Sequence, residues 1–385
     1  MTGEQIGAAA RLGGRAAGGV VSSIEHVHRT IANRAFRPTA PVSAPVRLVH
    51  DGIAGLVYGA VRGALMAGGA AAGTAAGVAL RRAPGVHVRS ALNAIIGDQL
   101  ARDGSPLAIP MAARVDAPPE VGPTSRIAIF VHGLGENGET WRLGGGATYG
   151  SRLADEFGCT PIYLRYNTGR HISTNGRELA GLLRDLVGRW PVEVHDVLLV
   201  GHSMGGLVIR SACHYGATAG DRWVPLVHHV VYLGAPHSGA PLARGVGSLA
   251  WALGILPETR PYRALLDQSP GVRDLRFGYL VDEDWAECDV GSCRRDHSTD
   301  VPLLPTASHY VVSGSVGRGP AGRLVGDLLV QPASAHGRRR RREHIPFPVE
   351  HTRHYPGLHH FSLLNHPDVY AAVRDWVMGT SPLAG

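Results

Sequence analysis

A serine flanked by glycines stands near the middle of this 385-residue sequence, in the segment Gly201-His-Ser-Met-Gly205. An apolar run typical of a buried strand, 194–200, precedes it, and a helical pattern begins at Leu207. Such a context predicts a sharp strand-to-helix turn that presents Ser203 as a nucleophile. Glycines are needed two residues to either side because side chains there would clash. The amino terminus of the helix would also favour the negative charge that develops during nucleophilic attack.

A glycine-rich segment, Phe130-Val-His-Gly-Leu-Gly135, ends the first predicted strand of this region. Attack on a carbonyl group needs two backbone N–H donors aimed at the oxyanion, one of them from the residue after the nucleophile. That residue is Met204, and we expect Leu134 to supply the second donor. An ordinary glycine-rich turn is the alternative interpretation of this segment. Loss of one oxyanion donor typically lowers the rate by about a hundred- to a thousand-fold.

The general base is expected in a histidine-rich loop, 357–367, just before the last predicted helix. We assign the base to His360, because apolar residues follow it in the sequence. His359 is the alternative, and His366 is a third candidate. In sites of this kind the histidine follows a late strand, here predicted at 310–312. His309 precedes that strand and therefore comes too early in the chain.

The acid that orients the imidazole follows by elimination. It should come after the predicted strand 310–312, because the chain order of such sites is serine, acid, histidine. The segment 313–326 contains neither Asp nor Glu, so the first acid is Asp327. Its predicted role is to hold the imidazole in the correct tautomer and to stabilise the imidazolium. The alternative is that Asp327 is simply a turn aspartate.

The elements that must position these residues are strands alternating with helices. Short apolar runs, rich in β-branched residues, predict strands, whereas longer segments with leucines at helical spacing predict helices. The predicted strands are 127–131, 161–164, 194–200, 227–233 and 310–312, and the clearest helices are 177–190 and 368–378. This alternation predicts an α/β fold with a mostly parallel sheet covered by helices on both faces.

The chain is expected to have two parts. Residues 1–122 read as an Ala- and Gly-rich helical region and linker without strand patterns, and 123–385 as the domain that carries the motifs. Within the second part, 241–305 lacks the alternation and is interpreted as a cap or lid insertion. The longest stretch without charge or histidine, Gly63 to Leu80, is poor in Leu, Ile and Phe. We therefore interpret it as a packed helix rather than a membrane span.

The composition limits the possible cofactors and partners. The sequence has no lysine, so all 38 basic residues are arginines, and the net charge is +7. We expect no nucleic-acid partner because no nucleic-acid-binding motif accompanies this charge. The five arginines 338–342 leave peripheral association with membranes open, and the expected location is cytoplasmic.

The number and spacing of the cysteines bear on disulfides and on metal binding. Four cysteines, at positions 159, 213, 288 and 293, are too few for a disulfide scaffold. Whether Cys288 and Cys293 form a disulfide stays open. Their spacing does not match paired zinc ligands, even with His297 nearby, so we expect no metal and no cofactor.

The motifs resemble the α/β-hydrolase superfamily, and within it the serine lipases and esterases. Its branch of lipases and GPI inositol-deacylase-like proteins looks most similar. The matching segments occur in the family's order: His132-Gly-Leu-Gly135, Gly201-His-Ser-Met-Gly-Gly206, Gly234-Ala-Pro-His-Ser-Gly239, Gly326-Asp327 and His360-Phe361.

The resemblance covers about 126–379. It implies a hydrolase of carboxylic esters, acting on a lipid or another hydrophobic acyl ester through an acyl-enzyme. Nucleophile, acid and base then fall on Ser203, Asp327 and His360, with oxyanion donors at Leu134 and Met204. A thioesterase or acyltransferase would use the same residues. A binding protein that kept the fold is the alternative outside enzymes, although binding alone requires none of them.

Overall fold

The larger of the two compact units, which begins at Ser90, is built around a sheet whose inner strands are apolar on both faces. The computed structural model describes residues 25, 86–116, 122–240, 269–286, 298–338 and 345–379. Within this part of the chain, seven strands form one sheet in the order β1-β3-β2-β4-β5-β6-β7. All neighbouring strands are parallel except β1 and β3, which are antiparallel. The strands are β1 Ala112–Val115, β2 Arg126–Val131, β3 Thr160–Arg165, β4 Asp196–His202, β5 Val227–Leu233, β6 Ser308–Ser315 and β7 Thr352–Pro356.

Helices connect these strands. The α-helices of the described residues are α1 Val86–Arg102, α2 Tyr149–Phe157, α3 Ile172–Arg189, α4 Met204–Ala219, α5 Pro270–Phe277, α6 Gly319–Val325, α7 Pro332–Ala335 and α8 Pro367–Gly379. Short 3-10 turns lie at Gly138–Arg142, Val224–Leu226, Asp282–Asp284, Val349–His351 and His360–Leu364.

Two apolar cores cover the two faces of the sheet. Successive side chains of a strand point to opposite faces, and β2 supplies both cores in this way. Ile127 and Ile129 pack in the core that contains residues of α3 and α4. Ala128 and Phe130 pack in the core that contains residues of α2 and α8. The predicted α/β fold, with a mostly parallel sheet and helices on both faces, is therefore confirmed.

The sequence patterns do not predict β1, β7 or α2. β1 and β7 are the edge strands of the sheet, and most of their residues are exposed or half-buried. They lack the apolar runs of the inner strands because one edge and much of each face meet solvent. Helix α2 buries only Tyr149, Gly150 and Leu153, so its apolar stripe is too short to give a clear period.

The sheet also begins earlier than expected. β1 lies upstream of the predicted boundary between residues 122 and 123, and residues from Ser90 onward belong to one compact unit with the other strands. The prediction that residues 1–122 contain no strand is wrong at Ala112–Val115. The helical region before residue 86 stays a prediction, because it lies outside the described residues apart from Glu25.

Several other predictions fall outside the described residues. They concern Gly63 to Leu80, most of the expected cap 241–305, the pair Cys288 and Cys293 with His297, and four of the five arginines in 338–342. Among the helices that the structure describes, none is both long and apolar enough to cross a membrane.

Candidate active site

Ser203 stands at the turn between β4 and α4. Its backbone has φ 53° and ψ −123°, a conformation that residues other than glycine rarely adopt. The Ser203 N–H donates to the Leu233 carbonyl oxygen at 2.9 Å, which ties the turn to the end of β5. Ser203 is buried, and α4 begins at the next residue, Met204. Strained backbone of this kind concentrates at functional sites, where the surrounding structure holds it in place.

The glycines around Ser203 let the backbone of three elements approach closely. A Cβ atom at Gly201 would lie 2.6 Å from the Gly206 nitrogen, and one at Gly205 would lie 2.1 Å from the Val131 carbonyl oxygen. Both distances are far below van der Waals contact, and backbone atoms cannot move aside locally. The structure therefore requires glycine at both positions, as the spacing predicts.

His360 and Asp327 form a buried pair. The His360 Nδ1–H donates to Asp327 Oδ2 at 2.8 Å, and the His360 backbone N–H donates to the Asp327 carbonyl oxygen at 2.9 Å. This leaves His360 Nε2 as the other ring nitrogen, and it has no hydrogen-bond partner among the described residues. A Cβ atom at Gly234, the residue after Leu233, would lie 3.2 Å from both His360 Cε1 and Asp327 Oδ2. The pair therefore lies beside the end of β5, to which Ser203 is also bonded.

A tight turn holds the Asp327 carboxylate in place. Its Oδ1 accepts the N–H groups of Leu329 at 2.9 Å and Val330 at 2.7 Å. Between them and Asp327, Leu328 adopts a left-handed backbone with φ 87°, which is strained for a leucine. With Oδ1 bound by backbone and Oδ2 by His360, the orientation of this carboxylate is fixed.

The pKa values of the pair shift in opposite directions. Burial would raise the pKa of Asp327, but the charge of His360 and the hydrogen bonds from the His360 ring and the turn outweigh it and lower the pKa. Burial would lower the pKa of His360, but the Asp327 carboxylate outweighs it, with a smaller contribution from Glu136, and raises the pKa. The pair thus favours an ionised Asp327, which stabilises a proton taken up by His360.

Most backbone N–H groups in the loop after β2 donate hydrogen bonds within the protein. Gly133 donates to Glu136 Oε2 at 2.8 Å, Gly135 to Thr168 Oγ1 at 3.1 Å, and Glu136 to the Gly133 carbonyl at 3.2 Å. No acceptor for the Leu134 N–H exists within the part of the chain that the structure describes. The Met204 N–H is at the first position of α4, where no intrahelical acceptor exists. These two donors are the ones that the sequence predicts for an oxyanion.

The neighbouring histidines differ from His360. His359 is exposed and precedes the 3-10 turn that begins at His360. His366 directly precedes α8, and its Nδ1 accepts from the Asp368 N–H at 3.2 Å. His309 is buried within β6, and its Nδ1 contacts the Tyr232 hydroxyl at 3.0 Å. Among these histidines, the structure brings His360 together with Asp327.

A second buried pair lies at this site, and the sequence motifs do not predict it. Glu136, in the loop after β2, and His202, the residue before Ser203, are within 2.9 Å of each other through Glu136 Oε1 and His202 Nδ1. The rings of His202 and His360 are 4.5 Å apart between centroids. The signal in the sequence is an acid three residues after Gly133, in a loop already expected at the site.

No group of three or more possible metal-ligating side chains occurs among the described residues. Cys159 and Cys213 are buried free thiols, and burial raises their pKa values to about 11 and about 12. Neither thiol is therefore suited to act as a thiolate nucleophile near neutral pH.

Comparison with known proteins identifies the family. A model described as the Alpha/beta hydrolase family matches residues 128–373, which is more than half of the chain. The protein therefore belongs to the α/β-hydrolase family. The narrower branch suggested by the motifs stays a prediction.

Individual relatives are more distant. A carbendazim hydrolyzing esterase from Nocardioides sp. (strain SG-4G) is 32% identical over 108 residues, which are 28% of this chain and 40% of the relative. The match thus spans less than half the length of that relative. A lipase from Bacillus licheniformis is similar at 19% identity and a TM-score of 0.43, over 70% of this chain and 96% of its own. An esterase from Pyrobaculum calidifontis is similar at 16% identity and a TM-score of 0.40, over 76% and 89%.

Proposed function

We propose that this protein hydrolyses carboxylic esters through an acyl-enzyme formed on Ser203. The observation that carries the proposal is the buried hydrogen bond of 2.8 Å between His360 and Asp327, next to the strand end to which Ser203 is bonded. Binding alone does not require a strained serine, a buried imidazole and an ionised carboxylate in one place. Family membership supports the same conclusion.

The mechanism follows from the atoms of these residues. Ser203 Oγ attacks the ester carbonyl carbon while His360 Nε2 takes its proton. Asp327 holds the Nδ1–H of His360, so Nε2 carries the lone pair, and its charge stabilises the imidazolium. The Leu134 and Met204 N–H groups hold the oxyanion. His360 then gives its proton to the leaving alcohol, and water releases the acid from Ser203 in a second attack of the same kind.

A kinetic assay tests this proposal. We expect the purified protein to hydrolyse p-nitrophenyl esters, and Ser203→Ala to lower kcat by at least about a thousandfold without unfolding. An acyl-thioester of the same chain length, tested in parallel, separates an esterase from a thioesterase. Absence of turnover of any acyl ester or thioester by the folded wild type would contradict the proposal.

We also propose that the substrate is a lipid or another hydrophobic acyl ester at an anionic membrane surface. Residues 301–342 contain seven arginines and one acid, the buried Asp327, so this segment carries most of the net charge of +7. We define the basic–apolar surface as the exposed residues Val316, Arg318, Arg323, Leu324 and Leu328.

This surface has the chemistry of an interfacial contact. Leu324 is 65% exposed, Leu328 41% and Val316 40%, and the arginines stand between them in the sequence. Apolar side chains would enter the acyl boundary while the guanidinium groups meet anionic headgroups. Because Leu328 directly follows Asp327, and the exposed Phe361 directly follows His360, a lipid surface bound here would lie beside the proposed catalytic residues.

A further inference from the structure

A second histidine–carboxylate pair lies behind the candidate site, and the mechanism proposed above uses neither of its members. His202 is fully buried and Glu136 is 8% exposed. His202 Nδ1 is 2.9 Å from Glu136 Oε1 and 3.0 Å from Glu136 Oε2. A buried charged pair is costly unless its remaining polar atoms also find partners. Both side chains do find such partners, and these partners are parts of the catalytic machinery.

The carboxylate end of the pair fixes the loop after β2. Glu136 Oε2 accepts the Gly133 N–H at 2.8 Å. A Cβ atom at Gly133 would lie 2.9 Å from Ser203 Cβ, so this loop packs directly against the serine. The next residue is Leu134, whose N–H is the proposed oxyanion donor. The orientation of that donor therefore depends on where Glu136 holds the preceding peptide.

The imidazole end of the pair fixes the loop that carries the proposed base. His202 Nε2 is 3.2 Å from the His360 carbonyl oxygen. A carbonyl oxygen only accepts hydrogen bonds, so His202 Nε2 carries a proton. The contact thereby anchors the backbone at which the His360 side chain begins. His202 is also the residue before Ser203, so one side chain links the nucleophile turn to the base.

The hydrogen bonds of the pair indicate how many protons His202 and Glu136 share. With Nε2 protonated, the contact between His202 Nδ1 and the carboxyl group needs one further proton, on the ring or on Glu136. Burial would raise the pKa of Glu136, but the charge and hydrogen bond of His202 and the Gly133 N–H outweigh it and lower the pKa. Glu136 is therefore present as a carboxylate, which accepts from Gly133 and lies within hydrogen-bond distance of His202 Nδ1. The other titratable groups that face it are His132, Tyr166 and His360.

We propose that Glu136 and His202 are positioning residues that bridge the oxyanion loop and the base loop of the proposed hydrolase site. The bridge runs from the Gly133 N–H through Glu136 and His202 to the His360 carbonyl. It rests on the proposed function, because its effect is exerted through Leu134, Ser203 and His360. Its role is to keep the oxyanion donor and the base aligned with the serine during the reaction.

The bridge predicts a specific kinetic defect in Glu136→Ala. A small misplacement of the donor or the base weakens interactions made in the transition state more than those made in the bound ester. We expect kcat to fall by about 10- to 100-fold while KM changes less than about twofold. The inhibition constant of an alkyl trifluoromethyl ketone, which forms a tetrahedral oxyanion on serine, should rise by a similar factor.

Two further variants give the controls. Glu136→Gln keeps the shape and can keep the hydrogen bonds to the Gly133 N–H and to His202 Nδ1, so it should recover most of the lost kcat. Glu139→Ala removes an exposed acid from the same segment, where it is 3.5 Å from Arg142, and should match the wild type. Thermal unfolding of all variants separates a kinetic defect from a loss of stability. If Glu136→Ala does not fold, the same measurements are made on Glu136→Asp, which shortens the side chain by one methylene.

The outcomes distinguish this inference from the proposed function. A wild type without ester hydrolysis contradicts the proposed function itself. An active wild type with a folded Glu136→Ala or Glu136→Asp variant that keeps its kcat and its inhibition constant overturns the bridge. A variant that loses only thermal stability, or that raises KM at constant kcat, overturns it as well.

Discussion

At the scale of single residues, the state of one proton on His360 controls the proposed reaction. The base must be neutral to accept the proton of Ser203, and the Asp327 carboxylate makes His360 harder to deprotonate than an imidazole in water. The same carboxylate fixes the tautomer whose Nε2 accepts the proton. In the proposed reaction, Asp327 would therefore extend the acid range in which the enzyme is inactive, and it would also give His360 the orientation that the attack requires.

The raised pKa of His360 predicts the pH dependence of ester hydrolysis. Because the pKa of His360 is raised, kcat/KM should fall toward acid pH with a midpoint above about 6.5, the ordinary value for histidine. In Asp327→Asn the largest cause that raises the pKa of His360 is absent and burial remains, so the midpoint should move to lower pH while the rate falls by about 10⁴-fold. The measurement is kcat/KM from about pH 5 to about pH 9 for both proteins. A midpoint that does not move to lower pH in Asp327→Asn would contradict the assignment of Asp327.

Motif spacing and chain order were enough to select Ser203, Asp327 and His360 as candidates from the sequence. Sequence context separates His360 from His359 only weakly, because adjacent residues share nearly the same neighbours. The structure distinguishes them, since His360 is buried against Asp327 and His359 is exposed. The sequence does not predict a role for Glu136, because its carboxylate contacts His202 only when β2 and β4 lie side by side. No local pattern encodes that contact.

At the scale of elements, the turn between β4 and α4 depends on close backbone approach. Gly205 is the point at which α4 meets the end of β2. Gly181, in the middle of α3, has nothing within 4 Å of an added Cβ atom. The same substitution is therefore expected to have opposite effects at two helical glycines of one protein.

Gly205→Ala should destabilise the fold by about 3 kcal/mol or more, because the new Cβ atom meets a backbone carbonyl. Gly181→Ala should leave stability unchanged or raise it by about 0.5–1 kcal/mol, since alanine is the better helix former. Urea unfolding of both variants measures the difference in the free energy of unfolding. Equal stability of the two variants would contradict the described packing of the turn.

The inner elements were predictable because burial on both faces leaves a continuous apolar run. β5 is the clearest case: its predicted and observed bounds are both Val227–Leu233. β7 was missed because its sequence, Thr-Arg-His-Tyr-Pro, is polar and half-buried at the edge of the sheet. Its place is decided by pairing with β6, a contact that only the folded chain makes.

At the scale of the whole molecule, charge and apolar exposure coincide on one segment. The basic–apolar surface lies in residues 301–342, which hold seven of the arginines and, apart from the buried Asp327, no acid. Elsewhere in the chain the charges nearly balance. An anionic lipid surface, the partner proposed above, would use both the guanidinium groups and the exposed leucines, whereas a nucleic acid would use the charge alone.

We therefore expect wild-type protein to sediment with phosphatidylglycerol vesicles more than with phosphatidylcholine vesicles, and less at high salt. The double variant Arg318→Glu/Arg323→Glu should bind at least about tenfold more weakly, because each arginine near the surface contributes about 1 kcal/mol. The matched control is Arg189→Glu/Arg374→Glu, which has the same net charge and changes exposed arginines on other helices. Equal loss in both double variants, or binding to DNA in place of vesicles, would overturn the membrane assignment.

The central claim concerns covalent chemistry at Ser203, and a fluorophosphonate probe tests it most directly. The serine oxygen displaces fluoride from such a probe, so a reactive serine gains one stable adduct that intact mass and peptide mapping locate. We predict a single adduct on Ser203 in the wild type, none in Ser203→Ala, and much slower labelling in His360→Ala. A folded wild-type protein that stays unlabelled, or that carries the adduct on another residue, would contradict the account.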